Sequence, residues 1–372
     1  MDDRPWSIVH CLISQDISLT YLMNLDDLEL FKQIDRQNMR AQIDGLPDQL
    51  QTAWDLAQTL PLTKLDDIQN IILCAMGDSG SAAELVVASV SSSLRLPVSV
   101  HRSYGLPASA TEKTLVICIS HSGNSEEVLD AFESAQKNGC KPFVISTGGE
   151  LTKRANAKNI PVWNFTYSGM DTTAIAYPYA LTLALFARLG FIPDPSADIA
   201  EAIAMMKRSQ QHIVPEVIAA KNPAKRYAGQ LVGRWVTFVG TEQLAPVARR
   251  WKTQINQLAK AGANFEIIPE ATHNTLIATI NPNPTLNAHT MTLFMKAPSD
   301  HPRNKLRSDL MRQTFMLEAL NTDVIEARGD SVIAHLWTLI IFGDYMAYYL
   351  AMAYGSDPSE EDAFVNFKRS LG

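Results

Sequence analysis

The sequence predicts an α/β protein in which a mostly parallel sheet, covered by helices on both faces, is built twice. Three observations carry this. Short runs rich in Val and Ile recur with helical patterns between them, as parallel strands buried on both faces require. Serine- and glycine-rich turns follow two of these strands. Finally, NIILCAMGDSGSAAELV has the form of WVTFVGTEQLAPVARRW, an apolar strand, a glycine turn and a helix, which indicates two related halves of one chain.

Taken in order, the first forty or so residues carry no assignable pattern. The helical stretch LPDQLQTAWDLAQTL then leads to a first strand at Asn70 to Ala75, and further strands are expected at Val98 to His101, Leu115 to Ile119, Pro142 to Ser146 and Pro161 to Phe165. Helices dominate from Thr172 to Gly229, across the boundary-like GFIPDPSAD. The second series runs strand Trp235 to Val239, helix Glu242 to Ala261, strands Asn264 to Ile268 and Thr290 to Met295, helix Lys305 to Leu320, strand Asp323 to Ala327 and an apolar helix from Val332. The expected division is an unassigned segment 1–45, a first domain 46–200 and a second domain 201–372.

Composition narrows the function. At 372 residues with 46 % hydrophobic content the chain can bury two cores. Net charge is -7, and the first sixty residues hold ten acidic side chains against four basic ones, so neither nucleic acid nor a membrane is an expected partner. The four cysteines show no CxxC spacing and read as reduced residues of a cytoplasmic protein. MDDRPWSIVHCLIS lacks the features of a signal peptide. Two uncharged stretches, Thr172 to Ala187 and Val332 to Gly343, are expected as buried helices. Pro178 breaks the first, Asp344 follows the second, and both fall short of the ~18 residues of a membrane span.

In open parallel sheets ligands sit beyond the carboxyl ends of the strands, where AMGDSGSAAEL and ISHSGNSEEVL are expected. The second turn offers hydroxyls at Ser120, Ser122 and Ser125, a glycine, and backbone N–H groups at a helix start near Asn124. Together these form a cradle for a phosphate. The plainer reading is helix capping, by Asn124 with Glu127 or by Ser122 with Ser125. Neither turn contains the lysine of a nucleoside-triphosphate loop, so a small phosphomonoester fits better.

The pair MGDSG and ISHSGNSEE resembles the phosphosugar-binding signature of sugar isomerase (SIS) domains. RRWKTQINQLAKAGANFEIIPEATHN, Arg249 to Asn274, is similar to a segment of the bifunctional phosphoglucose/phosphomannose isomerases. The resemblance covers about Leu46 to Gly372. It implies two SIS domains, a homodimer, a sugar 6-phosphate ligand between the domains, and neither metal nor other cofactor. It further implies that Ser79, Ser120, Ser122 and Ser125 hold the phosphate, that His273 opens the sugar ring across the dimer, and that Lys368 matches the family's C-terminal lysine.

Four positions depart from that pattern. Asp78 stands where the family has glycine. Gln257, sixteen residues before His273, stands where the family has the glutamate that carries a proton between C2 and C1. Thr172 stands where the family has an arginine, and no arginine lies between Arg154 and Arg188. Glu361 lies where a sugar-discriminating threonine belongs, with Ser359 the nearest hydroxyl. Glu270, or Glu266, is a possible substitute base. Two readings stay open: an aldose–ketose isomerase acting on glucose 6-phosphate or mannose 6-phosphate, and a non-catalytic sugar phosphate binder. The acidic N-terminal region speaks against an SIS-type transcription regulator, and Asp2 against a glucosamine 6-phosphate synthase.

Overall fold

The computed structural model describes residues 24–279, 281 and 283–371; Cys11 and the N-terminal stretch read against a signal peptide lie outside them. Three helices open the described chain, α1 (Leu28–Ile34), α2 (Met39–Asp44) and α3 (Leu46–Thr59). Then come β1 (Asn70–Ala75), α4 (Gly77–Val90), β2 (Val98–His101), β3 (Thr114–Ser120), α5 (Glu126–Lys137), β4 (Lys141–Ser146), α6 (Gly149–Ala157) and β5 (Val162–Asn164). The five strands form a parallel sheet in the order β2-β1-β3-β4-β5. Every residue of β3, TLVICIS, is buried, which a parallel strand covered on both faces demands.

A three-helix link follows: α7 (Ala176–Arg188), α8 (Ser196–Ile213) and α9 (Pro223–Leu231). The second half comprises β6 (Trp235–Thr241), α10 (Ala245–Leu258), β7 (Ala263–Ile268), α11 (Asn283–His289), β8 (Thr290–Lys296), α12 (Pro302–Leu317), β9 (Thr322–Glu326), α13 (Val332–Tyr354) and α14 (Asp362–Leu371). Its parallel sheet has the order β7-β6-β8-β9. With β6 matched to β1, this repeats the first sheet less its fifth strand, so MGDSG and GTEQL occupy equivalent turns. The halves meet where α4 packs on α10 and α13.

Three expectations are corrected. Pro178 does not break its apolar stretch; it is the third residue of α7, in the first turn, where no intrahelical partner awaits its missing N–H. The second stretch does not end at Asp344. That residue sits inside α13, which runs for 23 residues and is long and apolar enough by composition to cross a membrane, although 94 % of its apolar window is buried within the protein. Lastly, part of the unassigned N-terminal segment is ordered on α13. Phe31 packs edge-on to Tyr348, Tyr345 donates to Asp44, and Tyr348 donates to Asp35 at 3.2 Å.

Candidate active site

In the first sheet the connection from β1 leads outward to β2, and that from β3 leads outward to β4 on the other side. Diverging connections open a crevice at the carboxyl ends of β1 and β3. Ala75 pairs with Ile119, so the two serine-bearing turns leave the sheet side by side.

In the second turn, the buried Ser120 hydroxyl accepts the Gly123 N–H at 3.1 Å and lies 3.1 Å from the Ser125 hydroxyl. Ser122 Oγ accepts from the Asn124 N–H at 3.2 Å. Ser125 holds the N-cap position of α5 without its side chain capping it, and Asn124 Oδ1 instead accepts from Glu150 N–H in α6 at 3.0 Å. The serine hydroxyls therefore do not cap α5, and those of Ser120 and Ser125 face each other beside a helix N-terminus that attracts anions. Gly123 has φ +68, and a Cβ there would collide with the Gly148 carbonyl oxygen. Only glycine lets the two loops meet this closely.

In the first turn Ser79 is buried, and the Asp78 carboxylate reaches into the second half. Its Oδ1 accepts from Arg250 Nη1 at 3.0 Å. Arg250 Nη2 donates to Asp344 Oδ2 at 2.7 Å and to the Thr172 carbonyl at 3.3 Å. Turned so that its oxygen faces the guanidinium, the Gln254 amide adds an acceptor 3.0 Å from Nη1. One buried cation thus faces two carboxylates. Burial pushes the Asp78 carboxyl up to about 6, Arg250 opposing and Asp344 reinforcing the shift. Burial likewise raises Asp344, against the pull of Arg250. The Asp78 carboxylate is therefore turned towards a cation.

The sequence-predicted residues fall into two groups. Gln257, near the end of α10, lies beside Asp78, whose carboxyl it helps to lower, and lines a cleft of about 980 Å³ with Lys260, Glu361 and Phe364. Thr172 is buried against Arg250. Lys368 on α14 holds its Nζ 4.1 Å from the centre of the Phe364 ring. Together with a 2.6 Å contact from His121 Nδ1, which dominates, Lys368 draws the Asp171 carboxyl below its ordinary range. His273 and Glu270, by contrast, are exposed in the 3-10 turn Glu270–His273 beyond β7, where Glu270 accepts from Asn274 at 3.3 Å. Glu266 is half-buried on β7, and the Ser359 hydroxyl is engaged by Asp357 at 2.6 Å.

The carboxylate beside Gln257 is thus Asp78, not Glu270. Sequence reasoning missed Arg250, Gln254, Asp344, His121 and Asp171. The available signal was the simultaneous departure at 78 and 257. Buried side-chain atoms without a protein partner gather here: His121 Nε2, Thr172 Oγ1, Arg250 Nε, Gln257 Oε1 and Asp344 Oδ1. Buried polar atoms normally have partners; these are five of the twelve without one among the described residues. The equivalent crevice of the second sheet is closed by its own side chains, Thr241 donating to Asp300 at 2.6 Å and Asp300 accepting from Ala297 N–H at 2.8 Å.

Residues 64–188 match the SIS domain family, and residues 220–371 match the bacterial phospho-glucose isomerase C-terminal SIS domain. Among solved structures, a hypothetical protein from Thermus thermophilus superposes with a TM-score of 0.70 at 13 % identity, covering 94 % of each chain. The C-terminal domain of glucosamine-fructose-6-phosphate aminotransferase from Francisella tularensis does so with a TM-score of 0.65 at 15 % identity, covering 86 % of this chain and 96 % of that one. Both likenesses concern the fold. In sequence, a bifunctional phosphoglucose/phosphomannose isomerase from Aquifex aeolicus is 28 % identical over 82 % of this chain and 92 % of its own length. Another from Caldicellulosiruptor bescii is 32 % identical over 85 % of this chain and 93 % of its own length. Paired SIS domains, two serine turns at one switch point and this relationship over nearly the whole chain lead to one conclusion: it belongs to the bifunctional phosphoglucose/phosphomannose isomerase family.

Proposed function

We propose that the protein is a phosphosugar isomerase that interconverts glucose 6-phosphate or mannose 6-phosphate with fructose 6-phosphate. The observation that carries this is the crevice between β1 and β3, where the turn bearing Ser79 and the turn bearing Ser120, Ser122 and Ser125 leave the sheet side by side, next to the uncapped start of α5. Hydroxyls, N–H donors and the helix dipole there suit a phosphate, and the sugar would extend towards Gln257 and the cleft beside α14. An aldose–ketose isomerase is favoured over a non-catalytic binder because the relatives that this chain matches over nearly their whole length are phosphoglucose/phosphomannose isomerases.

A cytoplasmic homodimer belongs to the same proposal. Leu306, Leu310 and Leu317 expose an apolar stripe along α12, Ile277 is exposed in the 3-10 turn packed against α12, and Phe364, Phe367 and Leu371 are exposed on α14. Stripes of this kind mark protein contacts. A second copy seated near Ile277 would also bring His273, four residues earlier, close to an interface. The chemistry is tested by incubating the protein with fructose 6-phosphate in deuterated water. Label entering C1 or C2 at an enzymatic rate is expected, and its absence would refute the assignment.

A further inference from the structure

We propose that Asp78 is the group that carries the proton between C2 and C1 in this chain, replacing the glutamate that position 257 lacks, with Arg250 as its positioning residue. This rests on the isomerase assignment above and adds the residue that performs it.

Three observations support the assignment. Asp78 directly precedes Ser79, yet its carboxylate is held towards Arg250 and Gln257. A sugar held by its 6-phosphate presents C1 and C2 away from the phosphate, and would meet Asp78 if it extends towards Arg250. Of the three buried charges, Arg250 is fully enclosed and Asp344 retains 3 % of its side-chain surface, while Asp78 retains 10 %. Asp78 is therefore the member a substrate can touch, and Arg250 acts only through it. Third, the two departures explain each other. A glutamate at 257 would set a second carboxylate against Asp78, and like charges at such a distance cannot both ionise freely. A carboxamide at 257 instead favours the ionised Asp78 carboxyl without adding a charge. The negative charge has moved from one wall of the site to the other.

The step balances without a co-reactant. Asp78 removes the C2 proton of the open-chain aldose, the C2–H pair forms the C1=C2 bond of the enediolate, and the C1=O1 π pair moves onto O1. The carboxylic acid then delivers that proton to C1 through the C1=C2 pair, and the O2–H pair closes C2=O2 as the O2 proton passes to O1. Burial keeps the carboxyl near neutrality, as a base working at that pH requires. The charged and titratable groups facing it are Arg250 from α10, Asp344 from α13 and Asp171 from the 3-10 turn before α7. Asp171 itself feels His121 and Lys368.

The test measures turnover and deuterium incorporation from fructose 6-phosphate, with binding followed by thermal shift. Asp78→Asn should lower both rates by about 10²- to 10⁴-fold while the thermal shift persists, and Asp78→Glu should restore part of the rate. Gln257→Glu combined with Asp78→Gly should turn over faster than Asp78→Gly alone. If Asp78→Asn turns over like the unaltered protein, the inference is overturned and the isomerase assignment stands. If the unaltered protein binds the sugar without exchanging label, the isomerase assignment fails and takes this inference with it. Should Asp78→Asn not fold, the pH profile of the unaltered protein decides. An inflection in kcat/KM near 6 is expected, and a flat profile between about 5 and 8 would overturn the role.

Discussion

Asp344 lies in the middle of the longest apolar helix of the described chain, and its carboxylate accepts a 2.7 Å hydrogen bond from Arg250 of α10. The same guanidinium holds Asp78 at 3.0 Å in the first half of the molecule. One cation thereby joins the two halves of the molecule at the wall of the candidate site. Removing one member of a buried charge cluster leaves the others uncompensated. Arg250→Met should therefore lower the unfolding free energy by about 3–5 kcal/mol, read from urea denaturation. Asp344→Asn, which removes a carboxylate and keeps an acceptor, should cost less.

Asp78 should make stability depend on pH in a particular direction. Its folded value of about 6 lies above the ordinary 3.8, so the folded protein binds the proton more tightly. The associated stability is complete below about 3.8 and is lost as pH rises through about 6. Asp78→Asn should consequently stabilise the protein at pH 8 by up to about 3 kcal/mol, with little gain at pH 4. Urea midpoints of both proteins at the two pH values measure this, and an equal effect at both would contradict the buried-carboxyl account. A gain in stability with a loss of turnover is the trade expected of a catalytic group.

Two of the three serine hydroxyls of the second turn should separate in their effects. Ser120 supports the loop through the Gly123 N–H, so Ser120→Ala should lose about 1 kcal/mol of stability as well as phosphate affinity. Ser125 bonds only to Ser120 among the hydrogen bonds of its side chain, so Ser125→Ala should leave stability nearly unchanged. A hydrogen bond to a charged group contributes about 1.5–3 kcal/mol, which corresponds to roughly 10- to 100-fold in Kd for fructose 6-phosphate. Titration calorimetry and thermal melts together resolve the two residues.

The apolar stripe on α12 gives a fourth prediction. Leu310 is 53 % exposed, so Leu310→Asp should leave the monomer's stability almost unchanged. In sedimentation or light scattering it should shift a homodimer towards monomer. An unchanged mass at micromolar concentration would place the subunit contact elsewhere.

Local pattern alone determined a large part of this protein. Runs such as IILCA and LVICIS can only be parallel strands buried on both faces, and a glycine- and serine-rich turn after such a strand marks the ligand end of the sheet. The positions of Ser79, Ser120 and Ser125 were legible for that reason. Gln257 was legible as a departure from the family pattern.

Tertiary structure decided what sequence spacing cannot encode. Asp78 and Arg250 are 172 residues apart, and nothing local distinguishes an aspartate facing water from one held against a buried guanidinium. The length of α13 was hidden likewise, since an aspartate in an apolar run reads as an end until Arg250 neutralises it. The sequence thus determined where the candidate phosphate site lies, because strand and turn are short-range properties of the chain. Which carboxylate is held beside Arg250 was decided only by packing, because the charge of a buried group depends on what the rest of the fold places around it.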